Sequence, residues 1–134
     1  MNARPTRIHL RKTSGVLEVD FSSGEHFELP AEYLRVYSPS AEVQGHGQAE
    51  PTLVPGKREV RIDRIVPVGR YAVRLVFSDG HDTGLYSWDV LMDLGSRQRT
   101  LWDTYLQRLH DAGMSRDSDV VKLGALPKKY TPKP

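Results

Sequence analysis

The sequence predicts an α+β fold, mainly β, in which one antiparallel sheet built of hairpins is covered by a C-terminal helix and followed by a mobile tail. Three features carry that expectation. Apolar residues alternate with polar ones over the first thirty positions, Asp79-Gly80 marks a tight hairpin, and leucines with aromatics recur at helical spacing from Leu101 to Leu109. The chain has 134 residues, which suits one domain with one core.

The alternation comes in three sets: Ile8 and Leu10; Leu17, Val19 and Phe21; Phe27 and Leu29. Each set lies on one side of a strand. The clusters Thr13-Ser14-Gly15 and Ser22-Ser23-Gly24 between them are turn formers, so strands are expected near 6–12, 15–21 and 25–29 as a meander. Pro30 sits where a helix can begin, and Ala31 to Tyr37 supplies about two turns of it before Pro39 interrupts.

Residues 38–57 hold three prolines and three glycines and read as a loop, longer than usual for a compact domain and therefore a place to look for function. A strand near 59–65 follows, with Val60 and Ile62 alternating against Arg61 and Asp63. Tyr71, Val73, Leu75 and Phe77 give the clearest strand, 71–78. With a two-residue type I′ turn at Asp79-Gly80, Ser78 pairs with His81 and Val73 with Tyr86 in a returning strand 81–86. That register puts His81 on the outer face with Val76, Thr83 and Leu85, apolar enough to be covered by the long loop.

Ser87 can cap a short helix through Asp93 that Gly95 ends in a left-handed conformation. Ser96 can cap a second helix, 97–111, with Leu101, Trp102, Tyr105, Leu106 and Leu109 as its core stripe and Gly113 as its stop. The expected domain is thus 1–113, with 114–134 as a basic tail carrying three prolines.

Composition excludes several function classes. Cysteine is absent, so disulfides, thiolate ligands and a cysteine nucleophile are out. No apolar run is long enough to span a bilayer and residues 1–11 have no secretion-signal core, so a cytoplasmic protein without a membrane partner is expected. Residues 1–113 carry 14 basic against 15 acidic side chains and the tail 5 against 2, which places the basicity in the tail. A near-neutral body makes nucleic acid a secondary reading. It would use Arg4, Arg7, Arg11 and Lys12 with the tail lysines Lys122, Lys128, Lys129 and Lys133, although Arg7 and Arg11 alternate with Ile8 and Leu10 as a solvated strand face would.

The order Leu34-Arg35, Ser38-Pro39-Ser40-Ala41-Glu42, Val60 to Asp63, Asp79-Gly80-His81, Thr83-Gly84 and Tyr86-Ser87-Trp88 resembles the gamma-butyrobetaine hydroxylase-like N-terminal domain over about residues 5–112. The resemblance implies a compact β-rich accessory unit, found in carnitine-synthesis hydroxylases, fused to P-loop iron–sulfur carrier ATPases, or alone in bacteria. It also implies a structural zinc, held in hydroxylase-type members by a C-P-C-x-x-C run and a histidine after Asp-Gly. Here those positions are Ser38, Ser40, Val43 and His81, so three of the four ligands are missing and no cofactor is expected. His46 is the one nearby histidine that could add to the set.

The remaining expectation is a polar cluster in which Ser38 and Ser40 meet His81 and staple the loop to the sheet, with Arg35 and His46 as further loop-anchoring or interaction candidates. An enzyme is not expected. His26-Phe27-Glu28 has the H-x-E spacing of an iron facial triad but sits on a strand in a chain too short for the catalytic barrel, and no G-x-S-x-G elbow or phosphate loop is present. The function expected is a non-catalytic accessory module. Its protein partner is unidentified, with an iron–sulfur carrier ATPase or a redox enzyme as the candidates the resemblance suggests.

Overall fold

The computed structural model describes residues 3–44 and 51–118. The order of elements is β1 (Pro5–Arg11), β2 (Val16–Phe21), β3 (His26–Pro30), α1 (Ala31–Val36), α2 (Ala41–Gln44), β4 (Ile62–Val68), β5 (Ala72–Phe77), β6 (Leu85–Ser87), α3 (Trp88–Ser96) and α4 (Gln98–Ala112). The strands form two antiparallel three-stranded sheets, β1-β2-β3 and β4-β5-β6, where a single sheet was expected. Among the described residues both are covered on one face only, the usual condition of antiparallel sheets.

The two sheets are copies of one motif. In Phe21-Ser22-Ser23-Gly24-Glu25 and Phe77-Ser78-Asp79-Gly80-His81, the phenylalanine amide donates to the fifth residue's carbonyl at 2.9 Å in each. The glycine amide donates back to the phenylalanine carbonyl, at 2.9 and 3.1 Å, with glycine φ at 104° and 90°. The serine amide donates to Arg4 O in one copy and Arg61 O in the other, at 2.8 Å in both. Each arginine amide donates in return to the serine Oγ. Opposite each phenylalanine the first strand carries a bulge, between Pro5 and Arg7 or between Ile62 and Arg64, and each third strand runs directly into a helix. The chain is therefore an internal βββα duplication, with β1-β2-β3-α1 followed by β4-β5-β6-α3.

The duplication explains the core. Leu17, Val19 and Phe21 of β2 and Val73, Leu75 and Phe77 of β5 alternate inward and are almost fully buried, together with Leu29, Tyr33, Leu34, Tyr86, Leu91 and Leu94. Helix α4 adds a satellite cluster of Tyr105 and Leu109 with Val36, over which Leu53 and Val54 from the long loop pack. Leu106 is turned outward, 38% exposed, because it lies on the flank of the stripe that Leu101, Trp102, Tyr105 and Leu109 define.

Other boundaries also moved. Strand β4 begins at Ile62, later than the expected 59, and runs through Pro67, which an edge strand tolerates because its missing N–H would point away from β5. Ser87 Oγ accepts from the Val90 amide at 3.1 Å, the expected cap of α3. Gly95 does not end that helix in a left-handed turn. It lies inside α3, where an added Cβ would sit 2.4 Å from the Phe27 ring, so its role is close approach. Ser96 is the last residue of α3, and α4 starts after Arg97 with no side-chain cap. Gly113, at φ 67°, ends α4 as expected.

The body continues past the expected boundary at Gly113. Gly56 N donates to Ser115 O at 2.9 Å, Arg58 N to Arg116 O at 3.0 Å, and Arg116 makes a two-pronged ion pair with the buried carboxylate of Glu32. The rest of the expected tail, including its four lysines, lies outside the described residues.

Candidate functional site

The turn at Asp79-Gly80 decides where His81 points. A type I′ turn needs positive φ at both central residues, but only Gly80 adopts it. The turn is instead a three-residue loop, Ser78 to Gly80, closed by Phe77 and His81. One residue more in the loop shifts the register by one, and a one-residue shift moves a side chain to the other face of a sheet. His81 therefore lies on the core side with Phe77, their rings 6.0 Å apart, and not with Val76 and Leu85 on the outer face. Residues 82–84 are irregular and absorb the shift, so the expected Val73–Tyr86 pair is present and β6 begins only at Leu85.

Turned inward, His81 meets the start of the long loop. Its Nε2 lies 2.8 Å from Ser38 Oγ and its Nδ1 3.1 Å from Glu42 Oε2. The carboxylate can only accept, so Nδ1 carries the proton and Nε2 accepts from the serine hydroxyl. Ser38 Oγ also accepts from the Ser40 amide at 3.2 Å. Ser40 Oγ bonds Thr83 Oγ1 at 2.7 Å and accepts from the Glu42 amide at 3.2 Å, starting α2. Ser38, Ser40 and His81 are all buried. Burial pushes the His81 imidazole below its usual pKa, the Arg35 guanidinium adds to that, and Glu42 opposes it, so the ring is neutral near pH 7.

Asp79 clamps the other side of the same turn. Its carboxylate takes Arg35 Nε at 2.8 Å, Lys57 Nζ at 2.7 Å and the His81 amide at 3.0 Å, tying α1, the end of the loop and the hairpin together. Burial alone would raise its pKa, but the Lys57 ammonium, the His81 amide and Arg35 outweigh that and hold it at about 2. Tyr86 OH donates to Leu34 O at 2.5 Å and closes the floor of the site. Sequence reasoning missed Glu42, Asp79, Lys57 and Thr83 as partners. An acidic residue between Ser and Gly in a turn, two residues before a histidine, was the available signal for Asp79.

Chemically the arrangement is a holding device. Ser38, His81 and Glu42 repeat the hydroxyl–imidazole–carboxylate chain of a nucleophilic triad. Ser38, however, has no exposed surface, and a methyl group added at Gly84 would lie 2.4 Å from its Oγ, so no acyl group can reach the hydroxyl. Zinc does not fit the described residues either: both His81 ring nitrogens are engaged, Val43 is a buried aliphatic side chain, and serine hydroxyls are poor zinc ligands at neutral pH. No group of three or more His, Asp or Glu suited to a metal occurs among the described residues. His46 lies outside them.

The other candidate residues are on the outer face of the first sheet. His26 Nδ1 contacts Asp20 at 2.5 Å and its Nε2 faces Glu18 and Glu28, which raises its pKa, chiefly through the Asp20 bond. Arg7 pairs with Asp20 at 3.2 Å, and Arg11 with Glu18 at 3.3 Å and Glu28 at 2.5 Å. The H-x-E pair and two of the arginines considered for nucleic acid thus belong to one cross-strand charge lattice.

The family model for "Gamma-butyrobetaine hydroxylase-like, N-terminal" matches residues 8–92, from within β1 into α3, and takes in every described residue of the Ser38–His81 network. The chain belongs to this family. Two proteins with solution NMR structures are similar over nearly their whole length. One is 46% identical, with TM-score 0.78, over 92% of this chain and 97% of its own; the other is 51% identical, with TM-score 0.76, over 97% and 95%. A crystal structure of a protein of unknown function from Acidithiobacillus ferrooxidans, a member of the DUF971 family, is 41% identical with TM-score 0.57, over 68% of this chain and 91% of its own. No curated protein matches. Among the described residues, no helix is long and apolar enough to cross a membrane.

Proposed function

We propose that this member of the gamma-butyrobetaine hydroxylase-like N-terminal domain family is an accessory module that binds a protein partner and has no catalysis of its own. The observation that carries the reading is the closed Ser38–His81–Glu42 network. This nucleophile–base–acid constellation has no room for a substrate at Ser38 Oγ, and its hydrogen bonds to His81 fasten the loop at 38–44 to the second hairpin. A polar latch does here what a zinc ion does in hydroxylase-type relatives. Ser38, Ser40 and His81 are each hydrogen-bonded, which holds residues 38–44 in one conformation with a fixed shape to present.

The partner class is an iron–sulfur carrier ATPase or a redox enzyme, a reading that rests on the family resemblance. Nucleic acid is disfavoured by the carboxylates that already face Arg7 and Arg11. The test is affinity capture from cell extract with the full chain at low and high salt. A protein partner retained at high salt, and identified as such an ATPase or redox enzyme, is the expected result. Recovery of nucleic acid alone, lost steeply with salt, would overturn the reading.

A further inference from the structure

The duplication provides an internal control for the outer faces of the two sheets. In the first copy that face is Arg7, His9, Arg11, Glu18, Asp20, His26 and Glu28, cross-linked by ion pairs and solvated. In the second copy the corresponding face has no carboxylate in register: it is apolar except for Arg64, Ser87 and Arg74, which lies on the central strand between Val66 and Leu85. The register Val66–Arg74–Leu85 and Val68–Ala72–Ser87, with Val76 beside Arg64, brings Val66, Val68, Ala72, Val76 and Leu85 onto one surface. Leu85 is 49% exposed, and Tyr71 at the rim 76%. Among the described residues, the long loop does not cover this surface, because the extra turn residue directs His81, and with it Ser38 and Ser40, to the core side.

We propose that the outer face of β4-β5-β6 is the docking surface for an acidic amphipathic helix of a partner protein. This inference rests on the reading of the chain as an interaction module and names the surface it uses. Two features select the occupant. The strip from β4 to β6 is roughly 10 Å across, the width of one helix. The cations are unbalanced: Arg64 and Arg70 have no carboxylate partner among the described residues, and Arg74 faces only Asp82, at 3.6 Å. An apolar stripe would lie on Val66, Val68 and Leu85, interrupted by one carboxylate that meets Arg74 between Val66 and Leu85, with flanking carboxylates reaching Arg64 and Arg70. A second copy of the same face is a poorer occupant, since it would bring these arginines against one another.

The probe is a synthetic 18-residue helical peptide with a leucine stripe flanked by glutamates, compared with a lysine-flanked version and with a glutamate-flanked version whose stripe is serine. The full chain should bind the first peptide, with NMR shift changes confined to residues 64–76 and 85–87, and at least tenfold more weakly or not at all the other two. Leu85→Asp and Arg64→Glu should each weaken binding by at least tenfold while leaving the melting temperature within a few degrees. Equal binding of the lysine peptide, or binding that survives both substitutions, would overturn the proposal. So would a dimer in sedimentation that Leu85→Asp dissociates, which assigns the face to a second copy, or binding to phosphatidylserine vesicles that the same variant abolishes, which assigns it to a membrane. Capture from extract with Leu85→Asp separates the two readings. A partner lost with the variant supports the face, a partner retained overturns the face alone, and no partner for either protein overturns the interaction module itself.

Discussion

Removing the His81 imidazole would leave the buried Ser38 hydroxyl proton without its acceptor and free the Glu42 carboxylate, both tied to the ring in the folded protein. His81→Ala should therefore cost about 1 to 3 kcal/mol in urea unfolding and leave the chain folded. Gly84→Ala should be comparably costly, about 1 to 3 kcal/mol, because its methyl group would meet Ser38 Oγ and, at 3.2 Å, the Tyr86 ring. Acid should reach the same site through Asp79. A carboxyl held at about 2 in the folded state and near 4 in the unfolded chain stabilises the fold above the higher value and loses that contribution as pH falls through the lower one. Asp79→Asn should flatten the stability profile between about pH 4 and 2. His81, held below its usual pKa, acts in the same direction: its contribution is complete above about pH 6.5 and is lost as pH falls below that. Polar contacts hold the described residues of the loop at 38–44, so chelator should leave the melting temperature unchanged and metal analysis of untagged protein should find far less than one zinc per chain. Stoichiometric zinc with a chelator-sensitive melt would contradict this and point to His46.

At the scale of the element, α4 separates burial from mere apolarity. Leu109 is buried against Val36 and Tyr105, whereas Leu106 faces outward. Leu109→Ala should cost about 2 to 5 kcal/mol and Leu106→Ala less than about 1 kcal/mol, measured side by side in chemical denaturation. The reverse order would mean the helix is rotated about its axis. The five-residue pattern Leu101, Trp102, Tyr105, Leu106 and Leu109 spans a wider arc than one packing surface uses. Tertiary contacts choose which residues it buries: Leu101 and Trp102 pack on the main core, Leu109 meets Val36, and the Val54 carbonyl accepts from Tyr105 OH at 2.6 Å.

Across the whole molecule, the two βββα copies share one hydrophobic cluster, since Leu17 and Phe21 belong to the same core as Leu75 and Phe77. Neither copy has an apolar interior of its own, so they should unfold together. Leu17→Ala and Leu75→Ala, occupying matching strands of the two copies, should each cost about 2 to 5 kcal/mol and lower a single transition without splitting it. Tryptophan fluorescence and far-ultraviolet circular dichroism would report this. Divergence of the two signals in either variant would show the copies unfolding separately.

The sequence by itself determined the period-two strands, the Ser87 cap, the Gly113 stop and the residue types that meet around His81, because these depend on alternation, turn chemistry and side-chain inventory over a few positions. It also held the duplication in plain view, as Phe-Ser-x-Gly at 21–24 and again at 77–80, although the flanking residues differ enough to mask it. Tertiary structure alone decided the division into two sheets, the bounds of the folded body and the face on which His81 lies. Asp79-Gly80 is compatible with a two-residue or a three-residue loop. The choice turns on what each register buries: the three-residue loop places the imidazole where Ser38 and Glu42, about forty residues earlier, can pair with both its nitrogens. No local pattern encodes that preference, because its stabilising partners come from a segment distant in sequence.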